Sequence, residues 1–297
     1  VGKPLEKRLQ AAQDAEGPAS TEKPPKKPGE VDPEDDVEMT FFEHLGELRT
    51  RFVRALFGLI PGIAIAALYS EDILSFLTAP LINAYHEQNL GEPLLHFANP
   101  ADGFVAYMMI ALVCGLIFAS PWVFYQAWAF IAPGLYREEK RMAIPFVLIS
   151  AVFFIGGAFF GFQFVLPPAF NALLSFAGML PNEELRIEPT IMMIDYLDFS
   201  LRLLLALGVT FEVPIIIGAL AWMGMVNWRQ LLDFSRWWVV ISAIAAAVLT
   251  PSGDAGTMLL VLAPLVVLYY LGILFAFLVG PKPPPRETPT KAKEPVK

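Results

Sequence analysis

Residues Leu197–Trp222 read LDFSLRLLLALGVTFEVPIIIGALAW, and this stretch decides the fold. Its only charged side chains are Asp198, Arg202 and Glu212. A helix rises about 1.5 Å per residue and a bilayer hydrocarbon core is about 30 Å thick, so roughly 20 apolar residues cross it. The stretch is therefore read as a membrane span. Glu212 lies about ten residues, roughly 15 Å, from the Trp222 end, which puts a carboxyl near the midplane. An ionised carboxylate there is costly, so it must be protonated, paired, or facing water or a polar partner. Pro214 follows and removes the backbone donor that would bond the Thr210 carbonyl. A protonated glutamate satisfying that loosened turn is one explanation. A functional polar contact is the other, and it is the usual reason for an ionisable group inside a span.

Five further apolar runs accompany this one, at about Phe52–Tyr69, Phe104–Phe130, Ala143–Leu166, Trp237–Leu249 and Thr257–Val279. The fifth span in chain order, Trp237–Leu249, is short. Its thirteen residues give roughly 20 Å of helix before Thr250-Pro251, enough only if the bilayer thins or the bundle surrounds it. The composition agrees with a membrane protein. The 297 residues are 56% hydrophobic and 17% charged, against roughly 25% charged in an average soluble domain. That much apolar surface cannot be hidden in one soluble core.

Charge placement tests the count of six. Six spans put both ends on one face together with the breaks at 133–142 and 223–236, and that face then carries 19 of the 21 Lys and Arg. Only Arg186 and Arg202 fall elsewhere. Such a bias orients both termini toward the cytoplasm. Residues 1–38 mix Lys, Pro and an acidic run with almost no large apolar side chains, and 281–297 are similar, so both are read as disordered cytoplasmic tails around a six-helix domain at 39–280. No apolar h-region follows the first basic residues, which speaks against a secretory signal peptide.

On the outer side, Ser70–Asp102 holds Ile73, Leu74, Phe76, Leu77 and Leu81 at helical spacing, which predicts a short interfacial helix ending near Pro80. The other long outer connection, Asn171–Tyr196, is acidic. His86-Glu87-Gln88-Asn89-Leu90 lacks the second His of a zinc protease motif. A single cysteine, Cys114, leaves no internal disulfide and no Cys-based zinc site. There is no phosphate-binding loop, no nucleophile elbow and no Asp dyad. The reading is a non-enzymatic protein with no cofactor, no metal and no nucleic-acid partner, working from binding energy or the transmembrane potential.

Two polar groups mark the cytoplasmic face. Phe41-Phe42-Glu43-His44-Leu45-Gly46-Glu47-Leu48-Arg49-Thr50-Arg51 is an amphipathic entry to the first span, with Glu47 and Arg51 at i,i+4. A plain helix-side ion pair accounts for it as well as a binding role does. The break Tyr125–Arg141 places Glu138 and Glu139 among Trp128, Phe130 and Tyr136, in a loop that the orientation rule prefers to be basic. These carboxylates are either exposed helix-start charges or a site for a cation, and a carboxylate accepts a guanidinium by two parallel hydrogen bonds. Asp198 with Arg202 reads as a helix pair, Gly157 with Gly161 as an internal packing motif, and Gln163 as a buried donor or an interfacial residue.

Four segments in order then resemble the TatC family, the polytopic subunit of the twin-arginine protein translocase. They are His44–Arg51, the loop Tyr125–Tyr136, Gly208–Pro214 and Leu249-Thr250-Pro251. The resemblance covers roughly residues 39–280. It implies an all-α, concave six-helix bundle that binds twin-arginine signal peptides of folded preproteins and recruits the single-span partners TatA and TatB. Export would be driven by the proton-motive force across the inner membrane of a prokaryote, from a hetero-oligomer holding several copies and contacting membrane lipids. Carried over, Glu47 and Glu139, with Phe130 and the neighbouring Arg49 and Arg51, form the signal-peptide site. Glu212, with Thr210 and Pro214, is the intramembrane partner contact, and Asp254 and Pro80 belong to the outer loops. The rival reading is a proton-coupled small-solute transporter using Glu212. It expects paired repeats with broken helices in matching positions, which residues 39–142 and 143–280 do not show.

Overall fold

The computed structural model describes residues 41–131, 143–179, 186–250 and 255–280. Its long helices are α1 (Phe41–Leu68), α3 (Asp102–Ile131), α4 (Ala143–Phe160), α6 (Met193–Phe211), α7 (Val213–Trp222), α8 (Trp228–Leu249) and α9 (Ala255–Val279), with α2 (Ser70–Glu87) and α5 (Leu166–Leu174) on the connections. Joined where they are continuous, they make six helical segments long and apolar enough to cross a membrane. Six crossings put the Leu45 end of α1 and the Val279 end of α9 at one side of the bundle, and α2, which follows α1, at the other. The compact unit that carries the bundle begins at Leu45.

The fifth segment corrects the sequence reading. It is not thirteen residues but 22, Trp228–Leu249, or about 33 Å of helix. Hydropathy hid its first turns, which carry Arg229, Gln230, Asp233 and Arg236. Their start is set by a capping box: the Asn227 side chain accepts from the Arg229 and Gln230 amides, and Gln230 Oε1 accepts from the Asn227 amide at 3.0 Å. No local thinning is needed for α8 to span. It is fixed to α9 by Trp238, which stacks on Tyr269 at 4.7 Å and donates to the Leu265 carbonyl at 3.2 Å, while the Tyr269 hydroxyl donates to the Leu231 carbonyl at 2.8 Å.

The outer helix is also longer than its spacing suggested. α2 runs through Pro80 to Glu87 and buries Leu77, Pro80, Leu81, Ala84 and Tyr85 as one face. Proline removes one donor and one ladder bond, and burial of that apolar face outweighs the loss. Tyr196 at the start of α6 donates its hydroxyl to the Leu77 carbonyl, which ties α2 to the bundle. Beside it, Leu95–His96 pairs in parallel with Ile191–Met192, and Gly178–Met179 pairs antiparallel with Arg186–Ile187.

The third span runs past its predicted end to Leu174, through a π turn at Gly161–Val165. Pro167 and Pro168 explain the turn. Neither can donate to the carbonyls of Gln163 and Phe164, and the Leu166 amide reaches back to Gly161 in an i→i−5 bond. Gln163 is exposed there, not a buried donor. The small-residue motif does serve internal packing: a Cβ on Gly157 would lie 2.7 Å from the Leu207 carbonyl oxygen, so only glycine lets α4 approach α6 so closely. Gly62 plays the same part between α1 and α3, 2.5 Å from the Gly115 carbonyl by the same construction.

Candidate functional site

The break between α6 and α7 forms where Pro214 withholds its donor. The Glu212 amide bonds the Val209 carbonyl at 3.1 Å, and the Glu212 carbonyl accepts from Ile215 and Ile216 at 3.0 and 2.9 Å. Glu212 is therefore the hinge residue of the span as well as its only carboxyl near the midplane. It is buried, and its Oε1 has no hydrogen-bond partner. Ser150 of α4, fully buried, sets its hydroxyl beside the Glu212 carboxyl. The same hydroxyl accepts from Trp128 Nε1 of α3 at 3.0 Å. The indole stacks on Phe146 at 4.9 Å, so its direction is fixed.

The indole N–H and the Ser150 hydroxyl thus join α3 to α4 beside Glu212, whose Oε1 keeps its acceptor capacity. A buried carboxyl oxygen without a donor is unfavourable by itself and is ready for a polar group that arrives. Gln126, one turn away from Ile131 in the same helix end, also keeps a buried Oε1 without a partner. Thr210 does not join this group. Its hydroxyl donates to the Ala206 carbonyl at 2.7 Å, within its own helix. Pro214 is buried against Gly272 of α9.

The second group lies at the start of α1. Arg51 Nε and Nη2 both donate to Glu47 Oε1, at 3.3 and 3.2 Å, on a half-buried pair. Glu47 Oε2 is buried with no partner. Among the described residues, one oxygen holds the guanidinium of Arg51 and the other has no partner. Arg49 is exposed. Phe130, half-buried, sits one residue before the end of α3. Glu138 and Glu139 lie outside the described residues, as does Asp254. Pro80 is buried inside α2, not in a loop. On the outer face, Tyr85 donates to the Pro189 carbonyl at 3.4 Å, and burial, then the charge of Glu188, raises its hydroxyl above the ordinary phenol value. Among the described residues no group of His, Cys, Asp and Glu converges as a metal site.

Trp128 and Ser150 are the functional candidates that sequence reasoning missed. Trp128 stands in the loop motif near Glu138 and Glu139, where nothing in the sequence points it toward Ser150. Ser150 is a lone hydroxyl in an apolar run, and such residues usually bond their own helix.

The family model described as Sec-independent protein translocase protein (TatC) matches residues 43–264. The chain belongs to the TatC family. Its relatives include the Sec-independent protein translocase protein TatC of Koribacter versatilis (strain Ellin345), 36% identical over 82% of this chain and 87% of the relative. That of Aquifex aeolicus (strain VF5) is 33% identical over 82% and 97%, and the chloroplastic TATC of Pisum sativum is 35% identical over 83% and 66%. A crystal structure of the twin-arginine translocase receptor TatC superposes with a TM-score of 0.69 at 33% identity, covering 80% of this chain and 99% of that one. The protein is thus a multi-pass membrane component of the Sec-independent twin-arginine translocase, a receptor subunit and not an enzyme. Nothing in the fold or the relatives favours a solute transporter built around Glu212.

Proposed function

We propose that this TatC-family receptor binds twin-arginine signal peptides of folded preproteins through Glu47 and Glu139 and passes them to single-span TatA- and TatB-type partners through Glu212. The observation that carries the reading is Glu47. Its Oε2 is buried yet unpartnered, while Oε1 is occupied by Arg51 of the same chain. A guanidinium entering beside Phe130 would complete that carboxylate, with a second carboxylate on Glu139 for the second arginine. Glu212 supports the partner role because its open Oε1 lies inside the membrane, where a polar side chain on an incoming helix has few alternatives to it.

With both ends on the basic face, the termini and the tails at 1–38 and 281–297 are cytoplasmic, and the membrane is the inner membrane of a prokaryote. Several copies then act together with the partners and the surrounding lipids, and the proton-motive force drives transport. The test is crosslinking of an Arg-Arg signal peptide to the full chain, beside its Lys-Lys form. The reading expects capture of the first well above the second, and loss of that capture in Glu47→Ala and Glu139→Ala. Equal capture of the two peptides, or full capture by Glu139→Ala, would sink it.

A further inference from the structure

Arg202 and Asp198 form an ion pair, Nε to Oδ1 at 2.7 Å, on the surface of a membrane-spanning segment, with the Arg202 side chain 73% exposed. Asp195, also exposed, stands one turn before Asp198. At 100° per residue the three lie on one stripe of α6, which continues through the exposed apolar Val209. Charge is thus laid along a helix face that turns apolar toward the midplane.

The depth of these residues follows from two independent references. Arg202 is twenty residues from Trp222, about 30 Å along the span, which is the thickness of the hydrocarbon core. It is also six residues, about 9 Å, inward of Tyr196, whose hydroxyl bonds α2 on the face opposite the termini. Both place the guanidinium at the boundary between acyl chains and headgroups. Asp198 and Asp195 then lie about 6 and 10 Å farther from the midplane.

We infer that Asp195, Asp198 and Arg202 form a binding site for an aminophospholipid headgroup, of the phosphatidylethanolamine type, in the leaflet opposite the termini. The order of charges matches the lipid. In any leaflet the phosphate lies deeper and the ethanolamine ammonium, two carbons beyond it, lies shallower. Here the cation is deeper and the two carboxylates are shallower. Asp198 meets Arg202 at Nε, and with that side chain 73% exposed the guanidinium fork stays open to a phosphate. An ammonium that can donate hydrogen bonds suits the carboxylates. A choline headgroup cannot donate, and an anionic glycerol headgroup meets two like charges.

The test is native mass spectrometry of the full, delipidated chain titrated with phosphatidylethanolamine, phosphatidylcholine and phosphatidylglycerol of identical acyl chains. Retention of the ethanolamine lipid is expected about tenfold above the other two, as one charge-assisted contact provides. The paired exchange Asp198→Arg with Arg202→Asp keeps an i,i+4 ion pair and the helix but inverts the charge order, so it should erase the preference without unfolding the protein. Equal retention of the three lipids by the unaltered chain, or an unchanged preference in the exchanged one, overturns the proposal. A photoreactive benzoyl-phenylalanine at Leu205, irradiated in membranes, should gain the mass of a lipid. A protein adduct in its place would mean that a partner helix, not a lipid, occupies the stripe.

Discussion

Ser150→Ala removes a single oxygen from a fully buried position and leaves the volume almost unchanged, so its effect isolates the polar chain between Trp128 and Glu212. Without the hydroxyl, the indole N–H that now donates at 3.0 Å has no acceptor. A buried donor left unsatisfied costs about 1–3 kcal/mol, and the Glu212 carboxyl loses its polar neighbour as well. The stability loss should therefore be about 2 kcal/mol, far above the effect of a methyl-sized repacking. Trp128→Phe removes the donor itself, so in that background Ser150→Ala should be milder by about 1 kcal/mol or more. The assay is equilibrium unfolding in mixed micelles for the unaltered chain, both single variants and the double variant. Additive losses would refute the reasoning, because they would mean that the indole and the hydroxyl do not act on each other.

Other outcomes follow from single residues. Glu212→Ala should leave signal-peptide binding intact and weaken or shift crosslinks to the single-span partners; unchanged contacts together with unchanged export would contradict its role. Asn227→Ala breaks the capping box of α8 and should lower stability by about 1 kcal/mol, measured by the same unfolding assay. Gly157→Val puts atoms where the Leu207 carbonyl now stands and should separate α4 from α6, so a disulfide-crosslinking probe across that pair should lose efficiency. Because Tyr85 holds its proton more tightly when folded, its stabilisation is present below about pH 10 and is lost as pH rises above it. Tyr85→Phe should flatten that alkaline decline.

Much of the architecture is legible in the sequence because spans announce themselves by length and hydropathy, and positive charge counts them. What hydropathy misses is helix built from polar residues. The first turns of α8 carry Arg229, Gln230, Asp233 and Arg236, and only the Asn227–Gln230 box marks where they begin. α2 outruns Pro80 because its far side is buried against the bundle, a tertiary fact that proline statistics do not contain. The π turn before Pro167 follows from two missing donors and is legible once the ladder is counted residue by residue.

The site divides in the same way. Glu212 stands out because a carboxyl at that depth needs a reason, and Glu47 because its motif is specific. Trp128 and Ser150 do not stand out, since nothing in two separate apolar runs says that an indole and a hydroxyl will meet. Thr210 looked polar and available, yet a threonine in a span most readily bonds its own helix, and this one does. Proximity across helices, not residue type, made the difference.

In the proposed function, Glu47 reads guanidinium geometry and not positive charge alone. The most direct measurement is the affinity of the full chain in nanodiscs for an Arg-Arg signal peptide and its Lys-Lys form, each measured with Glu47 and with Glu47→Gln. Losing forked hydrogen bonds to a carboxylate should weaken the Lys-Lys peptide about tenfold or more in the unaltered chain, and that difference should shrink in Glu47→Gln. The same ratio in both chains, or no preference in the first, would contradict the account.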